Sequence, residues 1–173
     1  MKVLVDLPFI DDHKELVEIL IEAHQKAARD NSNASSQLAI VATQGSHDFS
    51  KGVIAAIAST GGGHAPLLQA RQVYRYATKE WVEQQKIVPG FGNSFHKDKI
   101  DPAFDEVMDI LRENFPEAAR RIDELHGWVK KVYPNAALIT AAVCEICGVP
   151  DGLESALFII SRVPMWAAQV VGK

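Results

Sequence analysis

Residues 133–150 read YPNAALITAAVCEICGVP, and this stretch predicts a buried helix with a defined beginning and end. Asn135 suits the start, because its side chain can accept a hydrogen bond from the first free backbone N–H groups. The residues that follow are nearly all apolar as far as Cys147. Gly148 and Pro150 end the helix, since glycine favours the left-handed C-terminal position and proline cannot continue a helix. A helix that is apolar on every face is expected to lie in a core.

Helical periodicity also dominates the chain on both sides of this segment. After an acidic pair that suits a helix N-terminus, apolar side chains recur at spacings of three and four, at Leu16, Leu20, Ala23 and Ala27. Further apolar or periodic segments, bounded by glycine, proline or asparagine, cover residues 36–43, 49–59, 66–81, 101–111, 116–129 and 153–171. Residues 2–7 (KVLVDL) predict a short strand or an extended arm. The sequence therefore predicts an all-α fold of seven to nine helices.

Composition and charge narrow the classes of function. The chain has 173 residues, a net charge of -4 and a pI of about 5.8, so neither a nucleic acid nor an anionic membrane surface is an expected partner. No apolar run reaches the roughly 18 residues of a membrane span. No small-residue cleavage pattern follows Phe9, so a signal peptide is not expected. We expect a soluble, cytoplasmic protein.

The two cysteines, Cys144 and Cys147, are too few for a disulfide framework. Their spacing of three places both on one face of the apolar helix, where buried cysteines act as small hydrophobic side chains. Redox and metal-binding roles are the alternatives, but no second cysteine pair or nearby histidine supports a zinc site. We therefore predict that both pack in the core and that the protein binds no metal.

Five short segments, in a fixed order along the chain, carry a family resemblance. They are Asp30–Ser35 (DNSNAS), Gly61–His64 (GGGH), Val88–Asn93 (VPGFGN) with Lys97 and Asp101-Pro102, Tyr133–Asn135 with Gly148–Pro150, and Phe158–Val163 (FIISRV). Together they resemble segments of the citrate synthase and citryl-CoA lyase superfamily. The resemblance implies a citrate-synthase-like helical fold, truncated on its N-terminal side. It implies a small CoA-type lobe at residues 64–152 and large-domain-like helices at 1–63 and 153–173.

The resemblance also implies a catalytic site in which several side chains are changed. His64 stands where the family places the donor that stabilises an enolate oxygen. Ala137 occupies the position of the family's carboxylate base, and Asn93 that of the histidine that polarises the second carbonyl. Asparagine can donate a hydrogen bond but cannot deliver a proton. Asp30 replaces an early histidine and is a candidate carboxylate partner for His64.

Of the arginines with which the family holds carboxylates, the resemblance implies that Arg162 is kept and that Ala103 replaces another. A methyl group does not substitute for a guanidinium that binds a carboxylate. Arg162 lies in an otherwise apolar helix, so it requires an anionic partner. That partner is either the carboxylate of a ligand or a structural Asp or Glu, and the sequence leaves both open.

The candidate CoA-binding residues are Pro89, Gly90, Phe91, Gly92 and Lys97. The resemblance implies that the glycine-rich loop wraps adenine with its backbone and that the lysine lies near CoA phosphates. His96 and Lys97, beside Asn93, could contact phosphate, and for these two residues a solvated loop is the alternative. For His64, which follows three glycines, the alternative is a helix-capping residue without a function.

The resemblance implies a protein that binds CoA or an acyl-CoA thioester and lacks ordinary citrate synthase activity. Two alternatives remain open. One is an acyltransferase or lyase that forms or cleaves a C–C bond of an acyl-CoA with altered catalytic residues. The other is a non-catalytic structural or regulatory protein. The expected partners are a small-molecule carboxylate or CoA, together with a second copy in a homodimer, or a partner chain that supplies the missing N-terminal half.

Overall fold

The computed structural model describes residues 11–30, 42–58, 66–93 and 95–171. In these ranges the protein is helical, which confirms the all-α prediction, and the pairing of Phe91 with Pro134 is the single isolated β-bridge there. The suggested strand or arm at 2–7 and most of the apolar segment at 36–43 lie outside the described residues. None of the helices described combines the length and apolar character needed to span a bilayer.

Two 3₁₀ turns and eight α-helices follow one another along the described chain. The 3₁₀ turns are Asp11–His13 and Pro102–Phe104. The helices are α1 (Lys14–Asp30), α2 (Phe49–Ala58), α3 (Leu67–Tyr76), α4 (Lys79–Gln84), α5 (Asp105–Asn114), α6 (Pro116–Val129), α7 (Ala136–Ile146) and α8 (Glu154–Val171). Residues 42–46 are helical as well. Pro164 lies inside α8, as predicted.

The prediction of one continuous helix over residues 66–81 is wrong, because the chain breaks between α3 and α4. Ala77 has an extended backbone (φ -63, ψ 134), and the Thr78 side chain accepts a hydrogen bond from the backbone N–H of Trp81. Threonine is a favoured N-cap, so it competes with continuation of the helix. Arg121 of α6 secures the break, since it donates hydrogen bonds of 2.8 and 2.7 Å to the carbonyl oxygens of Tyr74 and Ala77.

Helix α7 lies at the centre of the core, as its apolar sequence predicts. Every residue from Ala137 to Cys144 is buried. The predicted stripe of α1 is buried too, with Leu16 and Leu20 at 3% and 0% exposure, and α1 packs against α5, α7 and α8. Both cysteines are buried, and burial raises the pKa of the Cys144 thiol to about 12. The division into lobes at residues 64–152 and the flanking segments stays a prediction.

The Pro89–Gly92 loop is fixed to the start of α7 by Asn135. The Asn135 side chain donates a 2.9 Å hydrogen bond to the Gly92 carbonyl and accepts one from the backbone N–H of Ala137. The backbone N–H of Asn135 also donates to the carbonyl of Gly90. Gly90 has φ +92, and a Cβ there would come within 3.0 Å of Leu138. Both the conformation and the close approach therefore require glycine at this position.

A buried ion-pair network joins α3 to the segment between α7 and α8. Arg71 is 2% exposed; it donates to Glu145, to Glu154 at 2.9 Å and to the carbonyl of Val149 at 2.7 Å. Arg75, one turn further along α3, donates to Glu145 at 2.7 Å. Because Glu154 is also 2% exposed, its charge depends on Arg71 for compensation. The network therefore aligns three helices around one desolvated guanidinium.

We predict that Asn135→Ala lowers the free energy of unfolding by about 2 kcal/mol, because it removes a helix cap and a hydrogen bond to the loop. Asn135→Asp is the matched control, since it keeps the cap and loses only the donor to Gly92. The aspartate variant should lose about half as much in urea denaturation. Equal losses in the two variants would contradict a role for the bond to the loop.

We predict that Arg71→Met lowers the free energy of unfolding by about 3–5 kcal/mol, because it leaves the buried Glu154 carboxylate without its counter-charge. The control is Arg75→Met, in which the more exposed arginine is changed and Arg71 still compensates Glu145. Chemical denaturation of both variants should show the larger loss for Arg71. If Arg75→Met lost as much stability as Arg71→Met, the buried position of Arg71 would not be what makes the network stabilising.

Candidate functional site

Arg162 of α8 is a buried cation without a counter-ion among the described residues. It is 6% exposed, and its Nε and Nη1 atoms have no hydrogen-bond partner in the described structure. Its guanidinium lies 5.1 Å from the ring centre of Phe158, one turn earlier in α8. Burial lowers the pKa of Arg162 to about 10, and the charge of Asp101 partly opposes this effect. The contacts of Asp101 are instead with His96 and the backbone N–H of Ala103. The buried guanidinium therefore lacks a compensating anion in the described structure.

His24 of α1 is the second buried polar group beside Phe158. Its ring centre is 5.3 Å from that of Phe158 and 5.0 Å from that of Phe104, with both contacts edge-on. Its Nε2 atom is 2.8 Å from the hydroxyl oxygen of Thr140 in α7. Its Nδ1 atom is buried and without a partner in the described structure. Burial, followed by the charge of Arg162, lowers the pKa of His24 well below its usual value, so the ring is neutral.

The Thr140 hydroxyl determines which nitrogen of His24 carries the proton. This hydroxyl donates a 2.7 Å hydrogen bond to the carbonyl of Ala136, one turn earlier in α7. Because its single proton is used there, the hydroxyl oxygen can only accept from His24. This arrangement favours the neutral tautomer protonated on Nε2, in which Nδ1 is a hydrogen-bond acceptor.

Ala137, which the resemblance aligns with the family's carboxylate base, lies in an apolar cluster. Ala137 is buried at 6% exposure and packs with Leu67, Ala70, Ala141 and Phe158. Leu67, which begins α3, thus fills space near this point, whereas Phe95 is 60% exposed and does not. Nothing in the cluster can accept a proton from a ligand.

The candidate residue Asn93 shapes the loop that follows it. Its side-chain oxygen accepts hydrogen bonds from the backbone N–H groups of Phe95, at 2.8 Å, and His96, at 3.4 Å. The His96 ring nitrogen Nε2 lies 3.6 Å from Asp101. Lys97 is exposed. These contacts leave the side-chain amide nitrogen of Asn93 as the group with which it can donate to a ligand.

A groove of about 460 Å³ runs along α3 beside the predicted CoA loop. Its lining is Gln69, Gln72, Val73, Tyr76, Ala77, Trp81 and Pro89. Tyr76 is 73% exposed and Trp81 39% exposed, so two aromatic rings face an open apolar space with two amide side chains. Flat rings with polar edges fit such a lining, because aromatic side chains stack on them and amides bond their edges.

The structure brings together some of the predicted site residues and leaves others undescribed. Pro89 lines the groove, Phe91 and Gly92 line the neighbouring cavity, and Arg162 lies against the ring of Phe158. His64 lies outside the described residues. Asp30 ends α1, and its side chain is outside the described part, so its pairing with His64 stays a prediction. In the described ranges no cluster of His, Cys, Asp or Glu could hold a metal ion.

His24 and Thr140 were not among the residues predicted from the sequence. A signal was present, because Leu16, Leu20 and His24 follow one another at spacings of four on the apolar face of α1. A histidine in such a stripe is buried whenever the stripe is. Its pairing with Thr140, however, joins two residues 116 positions apart, and only the packing of α1 on α7 brings them together.

The comparisons with known proteins agree with this architecture. The family model of the citrate synthase C-terminal domain matches residues 11–173. The chain therefore belongs to the citrate synthase family, through that C-terminal domain.

Two solved structures have the same fold. Citryl-CoA lyase from Hydrogenobacter thermophilus aligns with a TM-score of 0.75 and 23% identity, over 93% of this chain and 69% of that one. Citrate synthase from Thermotoga maritima MSB8 aligns with a TM-score of 0.71 and 24% identity, over 91% of this chain and 47% of that one. The chain thus spans less than half the length of the citrate synthase.

We predict that Arg162→Met raises the free energy of unfolding by about 1 kcal/mol or more, because it replaces a buried charge without a protein partner by an apolar side chain. The opposite response is expected for Arg71→Met, so the two substitutions form a matched pair. Urea denaturation at neutral pH measures both. A loss of stability in Arg162→Met as large as that in Arg71→Met would mean that Arg162 is a structural residue.

Proposed function

We propose that this protein binds CoA or an acyl-CoA thioester in the groove along α3 and a small carboxylate at Arg162, without ordinary citrate synthase activity. The groove supports the proposal that the protein binds CoA. It adjoins the Pro89–Gly92 loop, whose resemblance to the adenine-binding turn of the family suggested CoA. Trp81 and Tyr76 offer stacking surfaces for an adenine ring. Aromatic stacking of this kind also binds bases in open grooves.

The unpartnered guanidinium of Arg162 supports the carboxylate half of the proposal. A buried cation is costly unless an anion compensates it, and the sequence left open whether that anion is a ligand or a structural carboxylate. No described residue pairs with it. A ligand carboxylate is therefore the partner that the arrangement favours.

The apolar surroundings of Ala137 support the absence of ordinary citrate synthase activity. Removal of a proton next to a thioester needs a base within hydrogen-bonding distance, and Ala137 lies in an apolar cluster with Leu67 and Phe158. Catalytic groups act as a unit, so loss of one member removes most of the rate.

A second candidate function is an acyl-CoA lyase or acyltransferase with altered catalytic residues. The retained Arg162 favours it, because a protein that had lost its ligand would gain stability by replacing this residue. His64 and Asp30 would then supply the acid or base chemistry.

We also propose a homodimer, which the family resemblance implies. Ile54 on α2 is 63% exposed and offers an apolar side chain for such a contact.

Titration with CoA tests the proposal, and Trp81 provides the signal. Of the three tryptophans, Trp166 is fully buried, Trp128 is half-buried and lines the other cavity, and Trp81 lines the groove. Ligand in the groove should therefore quench an emission that is absent in Trp81→Ala. We predict micromolar binding of CoA and acetyl-CoA by calorimetry. Trp81→Ala should raise the Kd for CoA about tenfold, which corresponds to the loss of one ring stack.

Two further variants make this test specific. Leu153→Ala is the matched control, because Leu153 is a 45% exposed apolar residue that lines neither the groove nor the cavity beside the Pro89–Gly92 loop. It should leave the Kd unchanged, whereas His64→Ala should weaken acetyl-CoA binding. Absence of heat and of quenching in a folded protein, with the dimer verified by light scattering, would refute CoA binding.

A further inference from the structure

The groove along α3 lies at the break between α3 and α4, where the backbone is held in place by hydrogen bonds. Its floor is apolar, because Val73 and Ala77 are buried at 4% and 8% exposure. Arg121 of α6 donates a 2.7 Å hydrogen bond to the carbonyl oxygen of Ala77. On the α4 side, the backbone N–H of Trp81 donates a 3.3 Å hydrogen bond to the hydroxyl oxygen of Thr78. The walls of the groove are therefore fixed without a ligand, as in most small-molecule sites.

None of the described residues that line this groove carries a charge. The basic residues on the adjoining turns of α3 and α4 face carboxylates. Arg75 donates to Glu145 at 2.7 Å and to Asp151 at 2.8 Å. Lys79 lies 3.9 Å from Glu83, so a phosphate bound by Lys79 would also approach a carboxylate. The lining therefore holds a ligand by ring stacking and hydrogen bonds rather than by charge.

Gln72 and Tyr76 lie one turn apart on α3, so both side chains extend from the exposed face that lines the groove. Tyr76 and Trp81 offer ring surfaces on which a flat base stacks. The amide of Gln72 carries one donor group and one acceptor atom. This combination matches adenine, whose N7 accepts and whose N6 amino group donates a hydrogen bond. The lining thus complements the uncharged nucleoside part of an adenine-containing ligand.

We propose that the groove recognises adenosine alone and leaves the phosphate groups of its ligand in solvent, so that CoA, 3′-dephospho-CoA and free adenosine form one ligand class. Gln72 is the specificity-determining residue, because its amide selects adenine over other bases. Lys97, which the resemblance implies lies near CoA phosphates, is exposed and is not among the residues that line the groove. This inference rests on the CoA half of the proposed function and specifies which part of CoA is recognised.

Ligand pairs that differ only in phosphate groups test this proposal by calorimetry on the full chain. CoA is compared with 3′-dephospho-CoA, and adenosine 3′,5′-bisphosphate with adenosine. We expect the two Kd values of each pair to agree within about threefold, because no cation of the lining binds a phosphate. We also expect the Kd of CoA to stay constant between about 0.05 and 0.5 M salt, a range over which a charge-dependent contact is screened. Lys79→Gln should leave both results unchanged.

Adenosine and inosine test the role of Gln72, because inosine carries an oxygen in place of the N6 amino group. We expect adenosine to bind about tenfold more tightly in the unchanged protein. Gln72→Met keeps the length and helix propensity of the side chain and removes its amide, so it should abolish this preference. Gln84→Met is the matched control, since Gln84 is exposed on α4 and does not line the groove. The control should retain the preference for adenosine.

The outcomes separate this inference from the function on which it rests. If either phosphorylated ligand binds more than about threefold more tightly than its partner, a phosphate is bound, and the inference is overturned while CoA binding stands. Equal Kd values for adenosine and inosine in the unchanged protein overturn the role of Gln72. Failure of both CoA and adenosine to bind overturns the inference and the proposed CoA binding together. Undiminished binding of adenosine to Trp81→Ala would overturn the location of the site in the groove.

Discussion

The described structure depends on the ion pairs that Arg71 forms across three helices. This guanidinium is almost fully buried, and each of its nitrogens donates to a partner, in α7, in α8 or on the backbone between them. A desolvated charge stabilises a fold only when its geometry is satisfied on every side. The requirement sets the position of α3 against α7. The same two helices carry the loop contacts at Gly90 and the lining of the groove.

Arg71 and Arg162 differ in how their buried charges are satisfied. Both arginines are buried to a similar extent, at 2% and 6% exposure. One has carboxylates and a carbonyl as partners, and the other rests on an aromatic ring with two nitrogens unused. Natural folds satisfy nearly all buried polar groups, so the exceptions are informative. Together with the bare acceptor of His24, Arg162 marks the part of the molecule whose partner is not in the described chain.

The changes from the family pattern are of two physical kinds. At Ala137 the change is compensated, because the methyl group is packed among Leu67, Ala70 and Phe158 and leaves no unsatisfied group. Arg162, which the resemblance implies is kept, has no counter-ion among the described residues, so the cost of burying its charge remains. A protein selected only for stability would remove the second feature. Among the described residues, Ala137 thus leaves no polar group unsatisfied, whereas Arg162 does.

The sequence by itself determined the helical class, most helix ends and the buried faces. Local signals carry this information: Asp101 and Asn135 cap helices, Gly148 takes a positive φ at a helix end, and apolar residues recur with the helical period. The prediction of a single helix over residues 66–81 was wrong, because the Thr78 N-cap competed with continuation of the helix. Arg162 and the Pro89–Gly92 loop were identified through family resemblance. Tertiary structure alone decided that Arg162 has no described counter-ion and that His24 meets Thr140. Those properties depend on distances between residues far apart in sequence, and no local pattern encodes such distances.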